Sequence, residues 1–409
     1  MHQEPTPQAL PPLLGMANLM RRCYHGENLV PLGQALLSRA LDNPLDAHAY
    51  LDFSTVLQLT GNRAHGLAVQ SEAMKLQLLY DLPSGHEETQ LRLLVIMAPG
   101  DFMANTPVDF LVENSTVAVQ LLYLPANYEW LEIVPEHDVM MVAVGESNEN
   151  QFLLQRLARY ITDWPRPVIN HPENIAKLAR DSVFQNLQGI TGVDIPMSVR
   201  IDRVDLEAIA SGQKNLADFL PESSFPIIVR PIDSHAGKNL VKINAATEIV
   251  GYLQRVPNLL FYLSHYVDYQ SSDAKFRKYR IALIDGRPYL CHLAISEHWL
   301  VHYASAGMEE DGAKRAEEER CMENFATDFA TRHSSALQAI TERVDLSYFA
   351  IDCAENQQGE LLLFEVDNAM VVHSLDSGAL FPYKKVAMEK IFKAFQQMLA
   401  NTSQAGTIR

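Results

Sequence analysis

Three apolar runs, interrupted only by Gln120, constrain the fold of this 409-residue chain more than any other feature. They span residues 93–98, 117–124 and 139–144, and polar or glycine-containing segments separate them. Strands that are apolar along their whole length are buried on both faces, which is typical of a parallel sheet covered by helices. The amphipathic residues 151–161 are predicted to form one such helix. Residues 90–190 are therefore predicted to form a Rossmann-like α/β layer.

Two common nucleotide-binding signatures are absent from the sequence. No G-x-G-x-x-G motif follows the first apolar run, so a dinucleotide fingerprint is excluded. Gly237-Lys238 is followed by Asn239, and the upstream glycine of a P-loop is missing. A nucleotide site in this chain must therefore use other residues.

The first 85 residues are predicted to be helical. Asp46 is placed to cap one helix, Gly61-Asn62 ends it, and another helix is predicted from about Ala64 to Tyr80. Helices of this length joined by a short turn resemble a tetratricopeptide-like repeat. Both a peptide-binding module and a helical cap on the next domain fit this pattern. The polar residues 81–90 are the predicted linker.

Two apolar strands near the C-terminal end each carry acidic side chains. The segment IDCAE contains Asp352, and LLLFEVDNAM contains Glu365, Asp367 and Asn368. Residues 355–359 favour a hairpin turn, so Asp352 and Glu365 are expected to face each other. Strand alternation places Asp367 on the face of Glu365 and Asn368 on the other face. Carboxylate and amide oxygens suit Mg²⁺, or Mn²⁺ in its place, so these residues are candidate metal ligands. Because like charges repel, removing one carboxylate is expected to change stability little or to increase it.

A second segment, FPIIVRPIDSHAGKNLVKI, combines a cation with a loop that can bind anions. A β-branched strand ends in Arg230, a polar loop containing Gly237 follows, and a second strand begins near Leu240. Backbone N–H groups in an open turn of this kind can form an anion nest. One glycine between two strands is equally typical of an ordinary hairpin. Both interpretations stay open on this segment alone.

The order of these segments resembles the ATP-grasp superfamily, most closely its glutathione-synthetase-like or RimK-like ligases. The resemblance rests on VINHPENIAKLARD, FPIIVRP, a strand ending near His265, RKYRIALIDGRPY, and IDCAE with LLLFEVDNAM, and covers about residues 91–400. It implies a fold of mixed α/β and α+β class, with an N-terminal Rossmann-like layer and two α+β subdomains that clasp ATP. An all-α segment precedes it. The implied domains are residues 1–85, 90–190 and 191–405.

The resemblance also implies roles for individual residues. Arg230 stands where the family has a phosphate-binding lysine; it keeps the charge but differs in geometry. The loop after it matches a flexible lid over the phosphates, and residues 265–268 match the strand that binds adenine. Arg280 matches an arginine that faces the substrate and the acyl phosphate. The candidate nucleotide-binding residues are Arg230, Ser234, His235, Gly237, Lys238, His265, Tyr266, Val267 and Asp268, and the candidate catalytic residues are Arg280 and Lys278.

Two of these positions depart from the family pattern. His265 stands where the family usually has glutamate or glutamine, so only backbone groups are expected to bind adenine there. Asp367 stands where the family has an asparagine, so it can still act as an oxygen ligand but adds a negative charge.

The resemblance implies an ATP-dependent ligase that joins a carboxylate to an amine, or forms a peptide bond, through an acyl-phosphate intermediate with Mg²⁺. The substrates would be small molecules or peptides, and the helical segment could bind a peptide or protein partner. Two alternatives remain: a small-molecule kinase on the same fold, and a non-catalytic nucleotide-binding scaffold.

Composition excludes several other classes of protein. Lys and Arg number 33 and Asp and Glu number 50, which gives a formal net charge of −17 and argues against nucleic-acid binding. The four cysteines form no CxxC pair, and no apolar run approaches the roughly 18 residues that a membrane span needs. We expect a cytoplasmic homodimer. The charged residues 309–319 predict a solvated helix.

Overall fold

The computed structural model describes residues 10–83, 89–125, 134–234 and 237–407, which form a helical segment followed by three β-sheets. The helical segment is confirmed, and Asp46 caps its third helix as predicted, because its carboxylate accepts a hydrogen bond from the N–H of Ala49. Its repeat character and a peptide-binding role stay predictions. The helices are α1 (Met16–Tyr24), α2 (Val30–Asp42), α3 (Ala47–Leu59) and α4 (Arg63–Leu76).

The last of these helices ends earlier than the sequence suggests. α4 stops at Leu76, and β1 (Leu79–Asp81) follows, so the expectation of a helix as far as Tyr80 is wrong. Tyr80 is fully buried and donates its hydroxyl hydrogen to the carbonyl of Ala73. Pairing with the edge of a sheet satisfies backbone groups that a frayed helix end would leave open. Of the predicted linker, residues 84–88 lie outside the described residues.

The first sheet is the parallel layer that the apolar runs predict. Its strand order is β1-β3-β2-β4-β5, and every pairing is parallel except that of β1 with β3. The predicted helix at 151–161 is confirmed as α6 (Gln151–Tyr160). The elements are β2 (Leu91–Met97), α5 (Val108–Leu111), β3 (Val117–Tyr123), β4 (Val139–Val142), α6 (Gln151–Tyr160), β5 (Val168–Ile169) and α7 (Pro172–Ile175).

The middle sheet is antiparallel, with the order β7-β10-β8-β9. Two helices, α9 (Arg203–Ala210) and α10 (Ala246–Arg255), cover one face and build a separate hydrophobic core with it, which includes Leu206, Tyr252 and Phe261. The elements of this part of the chain are α8 (Arg180–Leu187), β6 (Val193–Asp194), β7 (Ser198–Asp202), α9 (Arg203–Ala210), β8 (Ile227–Pro231), β9 (Val241–Ile243), α10 (Ala246–Arg255) and β10 (Leu260–His265).

The third sheet has the order β12-β11-β13-β14-β6 and is antiparallel apart from β6, which pairs parallel with β14. The remaining elements are β11 (Phe276–Ile284), β12 (Arg287–Ser296), α11 (Gly312–Asn324), α12 (Phe329–Arg332), α13 (Ser334–Val344), β13 (Tyr348–Glu355), β14 (Leu361–Asp367) and α14 (Pro382–Thr407). The predicted solvated helix is only partly solvated, because Lys314 and Glu318 on α11 are buried.

The distribution of cores explains where a ligand can enter. The first and third sheets share two hydrophobic clusters, one of which also contains Phe395 of α14 and Leu51 of α3. The hydrophobic core of the middle sheet is separate from these two clusters, so a cleft lies between this sheet and the rest of the molecule. These three sheets confirm the mixed α/β and α+β class that is expected from the sequence. The division at residues 85, 90 and 191 stays a prediction.

Candidate functional site

A cavity of about 690 Å³ lies between the middle and third sheets. Strands β8 and β10 form one wall, strands β11, β13 and β14 form the other, and residues 299–305 and the loop after β4 complete it. This size suits a cofactor or nucleotide. The predicted site residues that line it are Arg230, Ser234, Gly237, His265, Tyr266, Val267, Lys278, Arg280, Asp352, Glu365 and Asp367.

Asp352 lies between two cations, and we call Lys278, Arg280 and Asp352 the paired cluster. Antiparallel pairing of β11 with β13 places Arg280 opposite Asp352. Arg280 donates from Nε to Oδ1 at 2.8 Å and from Nη2 to Oδ2 at 3.0 Å, and Lys278 Nζ donates to Oδ2 at 2.9 Å. Burial alone would raise the pKa of Asp352, but Arg280 and Lys278 outweigh it and hold the pKa well below its usual range.

Glu365 faces Asp352 across β13 and β14, as the sequence predicts. Its Oε1 accepts a hydrogen bond from Arg180 Nη2 at 2.5 Å, and Arg180 Nη1 donates to the carbonyl of Phe364 at 2.6 Å. Burial opposes ionisation, but Arg180 and then Arg230 outweigh it and lower the pKa of Glu365. Glu365 therefore accepts a hydrogen bond from one cation on one of its oxygens, whereas both oxygens of Asp352 accept hydrogen bonds from cations.

Two other carboxylates of the cavity, Glu146 and Asp367, are not compensated by two cations, and together with Asp233 we call them the acidic wall. Burial, and next the neighbouring Glu365, raise the pKa of Asp367 to about 6. Burial, and next Asp233, raise the pKa of Glu146 to about 7. Among the described residues, no hydrogen bond reaches the buried Oε1 of Glu146.

Asn368, the other candidate metal ligand, is not among the residues that line the cavity. It is fully buried, and its Nδ2 donates to the carbonyl of Val144 at 3.0 Å, next to the end of β4. Its own carbonyl accepts a hydrogen bond from Thr106 Oγ1 at 2.8 Å. The side chain therefore ties the end of β14 to the first sheet, and Asp367 is left as the better candidate for a third ligand.

The loop between β8 and β9, for which the resemblance implies a phosphate-binding role, begins at a buried cation. Arg230 donates from Nε to Ser234 Oγ at 3.2 Å and from Nη2 to the carbonyl of Ser234. Burial, and next Arg180, lower the pKa of Arg230 to about 9, which leaves the side chain charged at neutral pH. His235 lies outside the described residues, and Lys238 is exposed and does not line the cavity.

Gly237 lets the loop between β8 and β9 approach the opposite wall of the cavity closely. Its φ of +65° is a backbone conformation that side-chain-bearing residues rarely adopt. A Cβ atom at this position would stand 2.3 Å from His302 Nε2. The loop and residues 299–305 therefore meet at a position where only a glycine fits.

The predicted adenine-binding residues occupy the end of β10. His265 Nε2 and Ser223 Oγ are hydrogen-bonded at 2.6 Å, and burial lowers the pKa of His265, so its ring is neutral at neutral pH. Lys242 Nζ lies 3.6 Å from the ring centre of Tyr266. Asp268, by contrast, is exposed and is not among the lining residues.

A metal centre is only partly assembled. Within the described ranges, no three His, Cys, Asp or Glu side chains are grouped so that they could hold a metal ion. Both oxygens of Asp352 already accept hydrogen bonds from cations. Glu365 and Asp367 each retain an oxygen that no hydrogen bond reaches within this part of the chain, and such oxygens suit Mg²⁺. These two residues fit a divalent cation, and Asp352 as a further ligand stays a prediction.

Sequence reasoning missed several residues of the cavity. Arg180 begins α8, and its string ARD carries no signal of its contact with Glu365, 185 residues away. Glu146 follows an apolar run, a position where site residues often lie, and that was the available signal. His292 pairs with Arg280 across β12 and β11, and its ring centre lies 4.6 Å from that of Tyr303. Alternation along β12 could have placed His292 near Arg280, but not in a cavity.

Comparison with known proteins gives likenesses in structure alone. No family model matches the chain, and no curated protein sequence matches it. Similar solved structures include the VanG D-Ala:D-Ser ligase from Enterococcus faecalis, 12% identical with a TM-score of 0.45, covering 76% of this chain and 100% of that one. The RimK domain ATP-grasp protein from Sphaerobacter thermophilus is 14% identical with a TM-score of 0.44 (76% and 99% covered). The D-alanine-D-alanine ligase from Coxiella burnetii is 8% identical with a TM-score of 0.46 (78% and 98% covered).

Among the described residues, no helix is both long and apolar enough to cross a membrane.

Proposed function

We propose that the protein is an ATP-dependent ligase that joins a carboxylate to an amine through an acyl phosphate. One observation carries this proposal: a single cavity brings Arg180 and Arg230 together with the carboxylates of Glu365 and Asp367. Phosphoryl transfer depends on positioning and on neutralising phosphate charge, and this cavity offers cations for phosphate and oxygens for a divalent metal ion.

The nucleotide would lie across the cleft between the middle and third sheets. Its adenine would fit the end of β10, where Tyr266 and Val267 line the cavity and backbone groups are within reach. Its phosphates would extend toward Arg230 and the loop that ends at Gly237. The guanidinium of Arg230, held by Ser234, offers a fixed direction for phosphate oxygens.

Glu365 and Asp367 would hold the metal ion. A divalent cation held by these two residues would supply positive charge that offsets the negative charge of the phosphates. Arg180 engages Oε1 of Glu365, and this contact orients the carboxylate so that Oε2 stays available. The arginine therefore positions a metal ligand and also contributes positive charge beside the phosphates.

The paired cluster would receive the carboxylate substrate. Its two cations and one anion leave a net charge of +1, and both cations line the cavity. A cation held in place by a buried carboxylate needs little reorganisation when a negative group arrives, which favours charge stabilisation in the transition state. Arg280 and Lys278 would therefore orient the carboxylate toward the γ-phosphoryl group.

A non-catalytic nucleotide-binding scaffold is the second candidate. It is favoured by the hydrogen bonds that Asp352 makes with Arg280 and Lys278, because these occupy both oxygens of a predicted metal ligand. A scaffold would bind ATP without turning it over. The dimer, the cytoplasmic location and a partner of the helical segment stay predictions.

The test is an assay of ADP release with amino acids and short peptides as substrates, with mass spectrometry of the products. A condensed product supports the ligase. A phosphorylated product without condensation indicates a kinase, and ATP binding without ADP release indicates a scaffold. Failure to bind ATP at millimolar concentration would contradict all three functions.

A further inference from the structure

A buried ion pair between α11 and α14 lies behind one wall of the cavity, and the proposed reaction does not use it. Glu318 of α11 and Lys384 of α14 have exposed fractions of only 0% and 4%. Lys384 Nζ lies 3.5 Å from Oε1 of Glu318 and 3.2 Å from Oδ2 of Asp376. Because the cost of removing charges from water offsets their attraction, a buried ion pair is weak evidence for added stability. The placement of this pair is therefore more informative than its strength.

Both members of the pair contact Tyr303, which lines the cavity. The Tyr303 hydroxyl donates to Oε2 of Glu318 at 2.9 Å and accepts a hydrogen bond from Lys384 Nζ. Lys384 Nζ also lies 3.8 Å from the centre of the Tyr303 ring, and the ring centre of His292 lies 4.6 Å from it. Tyr303 is thus held both at its hydroxyl and at its ring, which leaves it little freedom to change rotamer.

Glu318 links Tyr303 to the sheet that carries the paired cluster. Its Oε1 accepts a hydrogen bond from the backbone N–H of Leu293 on β12 at 3.0 Å, and its Oε2 also accepts one from the hydroxyl of Tyr383 at 2.7 Å. Strand β12 pairs with β11, which carries Arg280. A buried polar network in which both carboxylate oxygens are hydrogen-bonded rigidifies the groups that it joins.

The segment of residues 299–305 contains this tyrosine and lies along both ends of the proposed nucleotide site. Near the proposed adenine site, the ring centre of Trp299 lies 5.8 Å from that of Tyr266. Near the proposed phosphate site, His302 lies so close to Gly237 that a Cβ atom there would not fit. Movement of the tyrosine would therefore displace residues that line both ends of the site.

We propose that Lys384 and Glu318 are positioning residues that, through Tyr303, hold residues 299–305 in place as a wall of the nucleotide site. This inference rests on the proposed function, because it gives the proposed nucleotide site a support outside the cavity; neither Lys384 nor Glu318 lines the cavity. A wall that is already ordered spares the free energy of ordering it when the ligand binds. Loss of the support is therefore expected to weaken binding although no group that contacts the ligand is removed.

The test combines calorimetric titration of a non-hydrolysable ATP analogue with Mg²⁺ and hydrogen–deuterium exchange of the amides of residues 299–305 without ligand. Lys384→Met removes the cation and keeps a long side chain, and Tyr303→Phe removes only the hydroxyl. For both variants we expect exchange about 10-fold faster, the effect of one lost hydrogen bond on local opening. Affinity for the analogue should fall by about 5-fold or more. The matched control is Lys385→Met, at the next residue of α14, which is exposed and should match the wild type in both measurements.

A double variant separates positioning from a general loss of stability. If Lys384 acts through Tyr303, Lys384→Met should weaken binding less in the Tyr303→Phe background than in the wild type. Tyr303→Phe keeps the ring and the ion pair, so it decides the inference alone if Lys384→Met does not fold.

The inference is overturned if exchange at residues 299–305 is unchanged in the folded variants, if they bind the analogue as tightly as the wild type, or if the two effects on affinity multiply in the double variant. If the wild type does not bind the analogue but exchange at residues 299–305 rises in the variants and not in Lys385→Met, the proposed function fails and the positioning of this wall stands.

Discussion

The paired cluster and the acidic wall lie in one cavity, but they balance their charges in opposite ways. Asp352 accepts hydrogen bonds from Arg280 and Lys278, and its pKa is lowered despite its burial. Glu146 has a buried oxygen without a partner among the described residues, and its pKa is raised to about 7. Glu365, with Arg180 on one oxygen, is intermediate between the two.

This difference separates carboxylates whose ion pairs stabilise the fold from carboxylates whose charge is only partly compensated by the protein. Removing one partner of a buried ion pair leaves an uncompensated charge, so Asp352 is needed by the fold. Removing the charge of Glu146, whose Oε1 has no hydrogen-bond partner among the described residues, relieves a cost that the folded state bears. When the charge of one carboxylate is removed, we therefore expect the largest loss of stability at Asp352, a small change at Glu365, and no loss or a gain at Glu146.

The largest expected effect is that of Asp352→Asn on stability. Because Arg280 and Lys278 would lose their counter-ion, we expect the free energy of unfolding in urea to fall by about 3–5 kcal/mol. This reverses the expectation from like-charge repulsion, which took no account of the two cations. Asp163→Asn, at an exposed position, is the control and should stay within about 0.5 kcal/mol of the wild type. Equal stability of the two variants would show that the ion pairs of Asp352 contribute nothing.

The next prediction concerns turnover and tests the role of Glu365, whose charge is compensated less than that of Asp352 and more than that of Glu146. Glu365→Gln keeps an acceptor for Arg180 but removes the charge that would hold the metal ion. We expect ADP formation to fall by at least about 10²-fold, with the free energy of unfolding changed by less than about 1 kcal/mol. Glu323→Gln, exposed on α11, should turn over normally. Normal turnover by Glu365→Gln would refute the metal-ligand assignment.

A further prediction is a pH dependence of stability whose sign distinguishes the two regions. The pKa of Glu146 rises from 4.5 to about 7 on folding, so the native state binds the proton more tightly than the unfolded state does. The resulting stabilisation is present below pH 4.5 and is lost as the pH rises through about 7. Asp352 has a lowered pKa, so its contribution is present above its ordinary value of 3.8 and is lost at lower pH.

The measurement is urea unfolding of the wild type and Glu146→Gln from pH 4.5 to 8. The stability of Glu146→Gln should gain on that of the wild type across this range, by about 1 kcal/mol or more at pH 8. Glu149→Gln, at an exposed position in the same loop, should follow the wild type at every pH. Parallel curves for wild type and Glu146→Gln would show that Glu146 ionises as easily in the folded protein as in the unfolded chain.

Local patterns predicted much of the fold, because each strand carries its own signal of burial. The apolar runs, the strand β11 and the face-to-face placement of Asp352 and Glu365 depend only on residues near each other in the chain. The strand at Tyr80 did not follow, because its backbone partner lies about forty residues further along the chain. Arg180 and Glu146 reach the cavity only through packing of one sheet against another, and spacing within the sequence does not encode that.

Asn368 shows the same limit of prediction from the sequence, here for a residue that was predicted to lie in the site and does not. It was predicted to lie on the strand, but β14 ends at Asp367, and the predicted contact with a metal ion depended on which sheet packs behind Asn368. The first sheet supplies the carbonyl of Val144 there, and the amide is used to join two sheets. The cations that neutralise Asp352 were identified as site residues, yet their mutual hydrogen bonds required the pairing of β11 with β13.

Calorimetric titration of ATP with Mg²⁺ into the wild type and Arg230→Ala tests the central claim, nucleotide binding in this cavity, most directly. We expect the wild type to bind and Arg230→Ala to bind at least about 10-fold more weakly, because a buried cation that contacts phosphate is lost. Arg255→Ala, exposed on α10 and outside the cavity, should bind as the wild type does. Absence of binding by the wild type, or equal affinities of wild type and a folded Arg230→Ala, would contradict the claim.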